Sequence, residues 1–289
     1  MKVLITGAGG LVGRAMSSYC AAQGDEVFRF DHRSLDISDE ASLRVAFDEK
    51  RPDVVINCAA WTDVDGCESD FAHAERANTL GPQLLARSCR EIDALLITIS
   101  TDYVFDGSKD GFYTQRDQPN PLSVYGQSKL EGERRAQNSW ARTIVVRSGY
   151  IFGAGGKNFL STLLLRAARR EPLKAISDMV GTPTHAPDLA RRIRELAFLD
   201  LPGIFHVVNA GKGASFETFA RTALEITGLT SVPLEAVSLA DLRRPAPRPR
   251  NSRLQCLWSE ALRLEPLPHW TDALNTFVND LSGSQSATV

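Results

Sequence analysis

Tyr125 and Lys129 stand four residues apart in the run Tyr125-Gly126-Gln127-Ser128-Lys129. On a helix that spacing puts a phenol and an ammonium on one face. A cation near a phenol oxygen favours phenolate and lowers a pKa that starts near ~10. A tyrosine so tuned can serve as general acid or base at a carbonyl or alcohol centre. The lysine can also hydrogen-bond a ribose. Both residue types are common, so the pair gains meaning from its company. Upstream, an apolar run ends in Ser100-Thr101-Asp102-Tyr103-Val104-Phe105-Asp106-Gly107. In an open α/β sheet, ligands bind beyond the carboxyl ends of the strands. Thr101 would then hydrogen-bond a substrate oxygen, and Asp102 would orient the network or relay a proton. A simple Asx-turn at a strand end is the bland alternative for Asp102.

A second constellation opens the chain. Gly7, Gly10 and Gly13 bracket Leu11 and Val12 in Thr6-Gly7-Ala8-Gly9-Gly10-Leu11-Val12-Gly13. Such a turn lets backbone approach a pyrophosphate at a helix N-terminus, where free N–H groups and the helix dipole favour an anion. Its place between a strand and a helix is the context the motif requires. Asp31 follows about 20 residues later, the usual offset for an acid that holds a ribose diol. An acid there favours NAD, whereas Arg33 or Arg14 would hold the 2′-phosphate of NADP. The sequence leaves NADPH and NADH both open. Asp36 and Ile37 would bracket the adenine, with Asp36 alternatively capping the next helix.

These residues need elements to position them. Short, continuously apolar strands are expected at 3–5, 26–30, 54–56, 95–99 and 143–146. Helices are expected at 12–22, 41–49, 74–90 and 128–138. Apolar strands without alternation suit a parallel sheet buried on both faces. Strand–helix repetition implies a Rossmann-like, doubly wound α/β domain. The pattern changes after residue 148, with helices at 159–170 and 216–227 and a strand at 204–208. The expected division is a dinucleotide-binding domain of 1–147 plus about 182–212. A smaller, interleaved α/β substrate-binding region takes 148–181 and 213–281, and 282–289 form a flexible tail.

Composition removes several classes. The chain has 289 residues, 33 Lys+Arg against 35 Asp+Glu, and a net charge of -2. That balance argues against a nucleic-acid binder. No uncharged run reaches the ~18 residues of a membrane span, so no membrane association is expected. Glycines follow Met1 too soon for a signal-peptide core. Cys20, Cys58, Cys67, Cys89 and Cys256 are scattered, without metal-ligand or disulfide spacing. The expectation is a cytoplasmic protein with reduced thiols. The one basic cluster is Arg243, Arg244, Arg248, Arg250 and Arg253, kept extended by Pro245, Pro247 and Pro249. A solvated loop is one reading of it. The other is that guanidinium forks meet a diphosphate, and Arg248 is the choice for that contact.

Taken together, Gly7/Gly10/Gly13, Ser100-Thr101, Tyr125 and Lys129 resemble the extended short-chain dehydrogenase/reductase superfamily. Further stretches sharpen the likeness. Asn57-Cys58-Ala59-Ala60-Trp61-Thr62-Asp63-Val64-Asp65-Gly66-Cys67-Glu68 resembles N-x-A-A-x-T-x-V-D-x-x-E, and Asn78 to Pro82 resembles N-x-x-G-P. Ser100 to Gly107 is similar to S-T-D-Y-V-F-D-G, and Pro121 to Glu133 to P-x-x-x-Y-G-x-x-K-x-x-G-E. Gly181-Thr182-Pro183-Thr184 and Arg248-Pro249-Arg250-Asn251-Ser252-Arg253-Leu254 complete the set. The ensemble resembles the dTDP-4-dehydrorhamnose reductase family, from residue 3 to about residue 254.

The resemblance implies reduction of a sugar C4 ketone by NAD(P)H within a nucleotide-sugar substrate. Tyr125 would protonate the alkoxide, Lys129 hold the ribose, and Thr101 bind the C4 oxygen. Asn57, Ala59 and Ala60 would follow the cofactor, and Asn78 support the floor of the site. Tyr103, Val104 and Tyr150 would pack on the sugar, and Lys157 or Asn158 meet phosphate or base. Some relatives carry glutamates that gather Mg²⁺ at a dimer contact. Here Arg14-Ala15 follow Gly13, and His185-Ala186-Pro187-Asp188 follow Thr184. No metal is therefore expected, and a monomer or weak homodimer is. Three other readings compete: a reductase of another dTDP-4-keto-deoxysugar, a non-catalytic regulatory subunit like that of methionine adenosyltransferase, and an epimerase or dehydratase. A dehydratase would want an acid pair where Asp102-Tyr103 stand.

Overall fold

A computed structural model describes residues 1–156 and 158–286, with 282–286 by backbone alone. The first half runs β1 (Lys2–Thr6), α1 (Leu11–Ala22), β2 (Glu26–Phe30), α2 (Glu40–Lys50), β3 (Val54–Asn57), α3 (Val64–Ser69), α4 (Phe71–Glu75), α5 (Gly81–Glu91), β4 (Leu95–Thr101), α6 (Val124–Ser139) and β5 (Thr143–Ser148). The second half adds β6 (Ile151–Phe152), α7 (Phe159–Ala168), β7 (Leu173–Ile176), β8 (Val180–Gly181), β9 (Thr184–His185), α8 (Ala186–Leu199), β10 (Gly203–His206), β11 (Ala214–Ser215), α9 (Phe216–Ile226), β12 (Leu234–Val237), α10 (Trp258–Ala261) and α11 (Trp270–Ser286).

The main sheet has six strands in the order β10-β5-β4-β3-β1-β2, parallel throughout. This is the doubly wound arrangement expected from the apolar strands. β3, β4 and β5 are buried almost throughout, because helices cover both faces. Met16 and Cys20 of α1 and Leu189, Ile193 and Leu196 of α8 pack on one face, against Ile5, Ile56, Ile97, Ile144 and Val146. On the other face Leu43 and Phe47 of α2 and Leu84, Leu85 and Cys89 of α5 meet Leu4, Val55 and Leu96. Fully burying each such side chain stabilises by about 1.5–3 kcal/mol. A separate apolar cluster joins α7, α9, α11 and β7, centred on Leu160, Phe219, Leu274 and Phe277.

Three departures from the sequence expectation bear on the site. The helix expected over 74–90 is divided: α4 passes through a π-helical turn, Arg76–Leu80, into α5. The wide turn holds Asn78 buried, and such turns gather at functional sites. The Pro/Arg segment is not a free loop. Val180 N–H donates to Arg250 O at 2.8 Å and Ser252 N–H returns to Val180 O at 2.8 Å. Tyr113 N–H then donates to Arg253 O at 2.7 Å. The segment is a strap laid between the 109–117 loop and β8. Finally, α11 continues to Ser286, into the stretch expected to be a tail. No helix among the described residues is long and apolar enough to cross a membrane.

Candidate active site

Two joined cavities cross the carboxyl edge of the sheet, where β1 turns between β2 and β3. They share Gly9, Gly10, Cys58 and Ala60 as lining. The first, about 690 Å³, is walled by Asp31, Arg33, Asp36, Ile37 and Ala59. Asp31 Oδ1 accepts from the N–H groups of Arg33 and Ser34, at 3.0 Å each. The Ser34 backbone bond leads in holding this carboxyl below the usual range. Arg33 faces the same cavity, whereas Arg14 Nε donates back to Gly9 O at 2.8 Å and clasps the turn. Asp36 does not cap α2. Its Oδ1 accepts from Ser38 N–H at 2.8 Å and its Oδ2 from Arg76 at 3.2 Å, while Asp39 supplies the cap. Asp39 wins because it immediately precedes the first helical residue.

The glycine turn suits a dinucleotide. Gly10 begins α1 with no side-chain cap and no acid in the first turn, so the N–H groups of Leu11, Val12 and Gly13 are open to an anion. Gly7 has φ 63°, and a Cβ there would lie 2.6 Å from Ala59 N. A Cβ on Gly13 would lie 2.1 Å from Gly7 O. Leu11 and Val12 line the second cavity. Asn57 stays beneath the lining and ties three strands. It accepts from Thr6 Oγ1 at 2.7 Å and from Ala59 N–H at 3.1 Å, and donates to Thr98 Oγ1 at 3.1 Å.

The second cavity, about 640 Å³, holds Thr101, Asp102, Tyr103, Tyr125 and Lys129 together. Ser123 caps α6 by accepting from Gly126 N–H, so Tyr125 sits in the first turn and Lys129 one turn below. Asn78, on the π turn, fixes this helix to the Trp61 loop. It accepts from Trp61 N–H at 2.9 Å and donates to Trp61 O at 3.0 Å and Ser128 Oγ at 3.1 Å. Burial pushes the Tyr125 phenol well above its usual range, and a hydrogen bond with Thr101 only partly opposes it. The expected lowering by Lys129 does not prevail here. Lys129 Nζ donates to Ile99 O at 2.7 Å, and burial, opposed by Glu133, brings its pKa down to about 8. A buried ammonium loses more hydration than one carboxylate returns. Glu133 is itself paired with Arg147 at 2.6 Å, and Ser100 donates to it.

Asp102 is 3% exposed, and burial raises its pKa to about 6 against the hydrogen bonds of Ser252 and Thr101. Ser252 Oγ donates to Oδ2 at 2.5 Å and Thr101 Oγ1 to Oδ1 at 3.1 Å. Gly149 leaves room for it: a Cβ there would lie 2.4 Å from Asp102 Cγ. Ser252 lies within a quoted motif, but nothing in its sequence neighbourhood shows that it serves residue 102.

The substrate-side expectations divide. Tyr103 lines the cavity, edge-on to Tyr125 with ring centres 6.0 Å apart. Tyr150 lines it from a left-handed backbone (φ 46°) and stacks on Phe216 at 4.2 Å. Val104 does not face the sugar pocket. It is fully buried with Phe105, Tyr113 and Leu130, since the turn after Thr101 directs it inwards. Asn158 reaches the lining, but its side chain is spent on α7. Oδ1 accepts from Ser161 N–H, and Nδ2 donates to Gly153 O and Gly156 O. Arg248 gives both prongs to Asp65 at 2.9 Å, a fork that outcompetes an open position in the cavity. The Tyr103 hydroxyl also bonds Arg248. Lys157 lies outside the described residues. Thr62, Val64 and Phe216 join the lining without having been singled out.

A cradle for a dinucleotide thus leads into a buried hydroxyl, phenol and ammonium, the parts that carbonyl reduction needs. The comparisons agree. The family model described as RmlD substrate binding domain matches residues 1–282. A dTDP-4-dehydrorhamnose reductase of Streptomyces griseus is 38% identical, over 97% of this chain and 94% of its own length. A crystal structure of a dTDP-4-dehydrorhamnose reductase from Clostridium acetobutylicum superposes with a TM-score of 0.94 at 35% identity, covering 98% of this chain and 100% of that one. Another such reductase, from Bacillus anthracis and in complex with NADP, gives 0.93 at 30% identity, over 97% and 100%. On these matches and this cleft, the chain belongs to the dTDP-4-dehydrorhamnose reductase family.

Proposed function

We propose that the protein reduces the C4 ketone of dTDP-4-dehydro-L-rhamnose with NAD(P)H, giving dTDP-L-rhamnose. The observation that carries this is the buried Tyr125 beside Thr101 in a cavity that opens from a dinucleotide cradle. Bound NAD(P)H supplies the hydride. Thr101, whose hydroxyl rests on Asp102, turns its one proton from that carboxylate to the ketone oxygen. Tyr125 gives its proton to that oxygen as alkoxide charge develops. Burial holds the phenol in its neutral form, so the proton that reduction asks for is in place. Lys129 holds a ribose hydroxyl and places positive charge under the phenolate that remains. The glycine turn and Asp31 hold the pyrophosphate and adenosine, with Arg33 at the ribose. Tyr103 and Tyr150 flank the sugar.

This reading assigns residues 1–147 with 182–212 to the cofactor, and 148–181 with 213–281 to the nucleotide sugar. The enzyme would work in the cytoplasm as a monomer or weak homodimer. The test supplies enzymatically prepared dTDP-4-dehydro-L-rhamnose with NADPH or NADH. Nicotinamide absorbance should fall in step with dTDP-L-rhamnose formation. No consumption of either cofactor sinks the proposal.

A further inference from the structure

Ser148 ends β5 and is 2% exposed, yet its Oγ has no hydrogen-bond partner among the described residues. Buried hydroxyls are nearly always paired, so an orphan of this kind asks for a partner. The hydroxyl lines the cavity that holds Thr101, Tyr125 and Lys129. Its polar neighbours are already engaged. Thr101 is bonded to Asp102, Asp102 to Ser252, and Lys129 to Ile99 O. None of these side chains bonds Ser148 Oγ.

Position narrows what could. Alternate side chains of a strand point to opposite faces. Arg147 points to the α6 face, where it meets Glu133. Ile144 and Val146 point the other way, into the cluster with Met16 and Val12 of α1. Ser148 therefore lies on the α1 face, and its register partner on β4 is Thr101. On that side the cavity is closed by Leu11 and Val12, at the uncapped start of α1. The aromatic walls Tyr103 and Tyr125 come instead from the turn after β4 and from α6. The orphan hydroxyl thus faces the path of the dinucleotide, in the cavity that Asp31 does not line.

We propose that Ser148 Oγ hydrogen-bonds the nicotinamide carboxamide and so fixes which face of the ring meets the sugar. A hydroxyl both donates and accepts, matching the carbonyl and amine of a carboxamide. The inference rests on the reductase reading above, so its test uses binding without sugar. Ser148→Ala is titrated calorimetrically with NADPH and, separately, with 2′-phospho-ADP-ribose, which lacks only the nicotinamide. The expected result is a three- to tenfold rise, roughly, in the NADPH Kd, with 2′-phospho-ADP-ribose unchanged. The thermal midpoint of the free variant should not fall, since no protein hydrogen bond is lost. Unchanged NADPH affinity overturns the proposal, and so does equal weakening of both nucleotides. A lowered midpoint overturns it by revealing a structural partner. An unchanged NADPH Kd with a raised KM for the sugar reassigns the hydroxyl to the substrate. Failure of the parent reading looks different: the unaltered protein would bind neither nucleotide.

Discussion

The two ends of the cleft use opposite physics. At the adenosine end, recognition is by bare backbone and exposed charge: an uncapped helix start, close-packed glycines, and an Asp31 carboxyl held by N–H groups. Little there depends on a low dielectric. At the reducing end, three ionisable groups are buried within one cavity, and each is shifted against its charged form: Asp102 and Tyr125 up, Lys129 down. One end selects by shape. The other disfavours charge where water would not. Substitutions should therefore act on binding at the first end and on turnover and pH behaviour at the second.

The largest effect should follow Tyr125→Phe. It removes only the donated proton, so kcat should fall by about 10²–10⁴-fold, or about 3–5 kcal/mol of barrier. The NADPH Kd should stay within about twofold, roughly the scatter of a surface change. Steady-state kinetics with a parallel binding titration decide it, and an active variant removes Tyr125 from the mechanism.

Next comes Asp102→Asn, which should trade activity for stability. The native pKa is raised from 3.8 to about 6, so the folded state binds more protons between those values. The contribution of Asp102 to stability is full below pH 3.8 and lost as pH rises through about 6. Above that window the buried charge costs about 3 kcal/mol. The Asn variant should gain stability over the wild type across this interval, then keep a constant advantage, with a reduced kcat. Denaturant titrations at several pH values would show it. An advantage that does not grow from acid to neutral pH contradicts this account.

At the other end, Gly13→Ala should weaken cofactor binding and stability together by about 2 kcal/mol, the usual cost of forcing an atom into packed backbone. Gly9→Ala is the control, because its Cβ would stand 3.7 Å from the nearest atom, Asp31 Cβ. Equal effects from both would deny the cradle its shape-based role. The smallest effect belongs to Arg33→Ala. This exposed cation should matter by about 1 kcal/mol, seen as a roughly fivefold loss with NADPH and none with NADH. Loss with both cofactors would place Arg33 on the shared part of the dinucleotide.

What could be read from the sequence follows from locality. The parallel sheet was legible because its strands are apolar on both faces. The glycine turn was legible because strand, turn and helix adjoin. Tyr125 and Lys129 were legible because helical spacing alone sets them together. The failures come from competition among distant groups. Arg248 suits a diphosphate by residue type, but Asp65, far off in the chain, takes its fork. Asn158 looked like a contact residue, but helix α7 needed a cap. Val104 neighbours two cavity residues, and a short turn directs it into the core. The π turn carrying Asn78 has no composition signature, since it depends on how α4 and α5 meet α6.

The bond between Ser252 and Asp102 spans 150 positions of the chain. Synthesis releases residues in order, and contacts of such separation form late. A growing chain will have made the cradle, Thr101, Tyr125 and Lys129 long before Ser252 leaves the ribosome. Until then Asp102 has no serine to donate to its Oδ2. Catalytic competence is therefore a property acquired only once Ser252 has been made, and truncation anywhere before residue 252 should leave a chain with its chemistry present but unassembled.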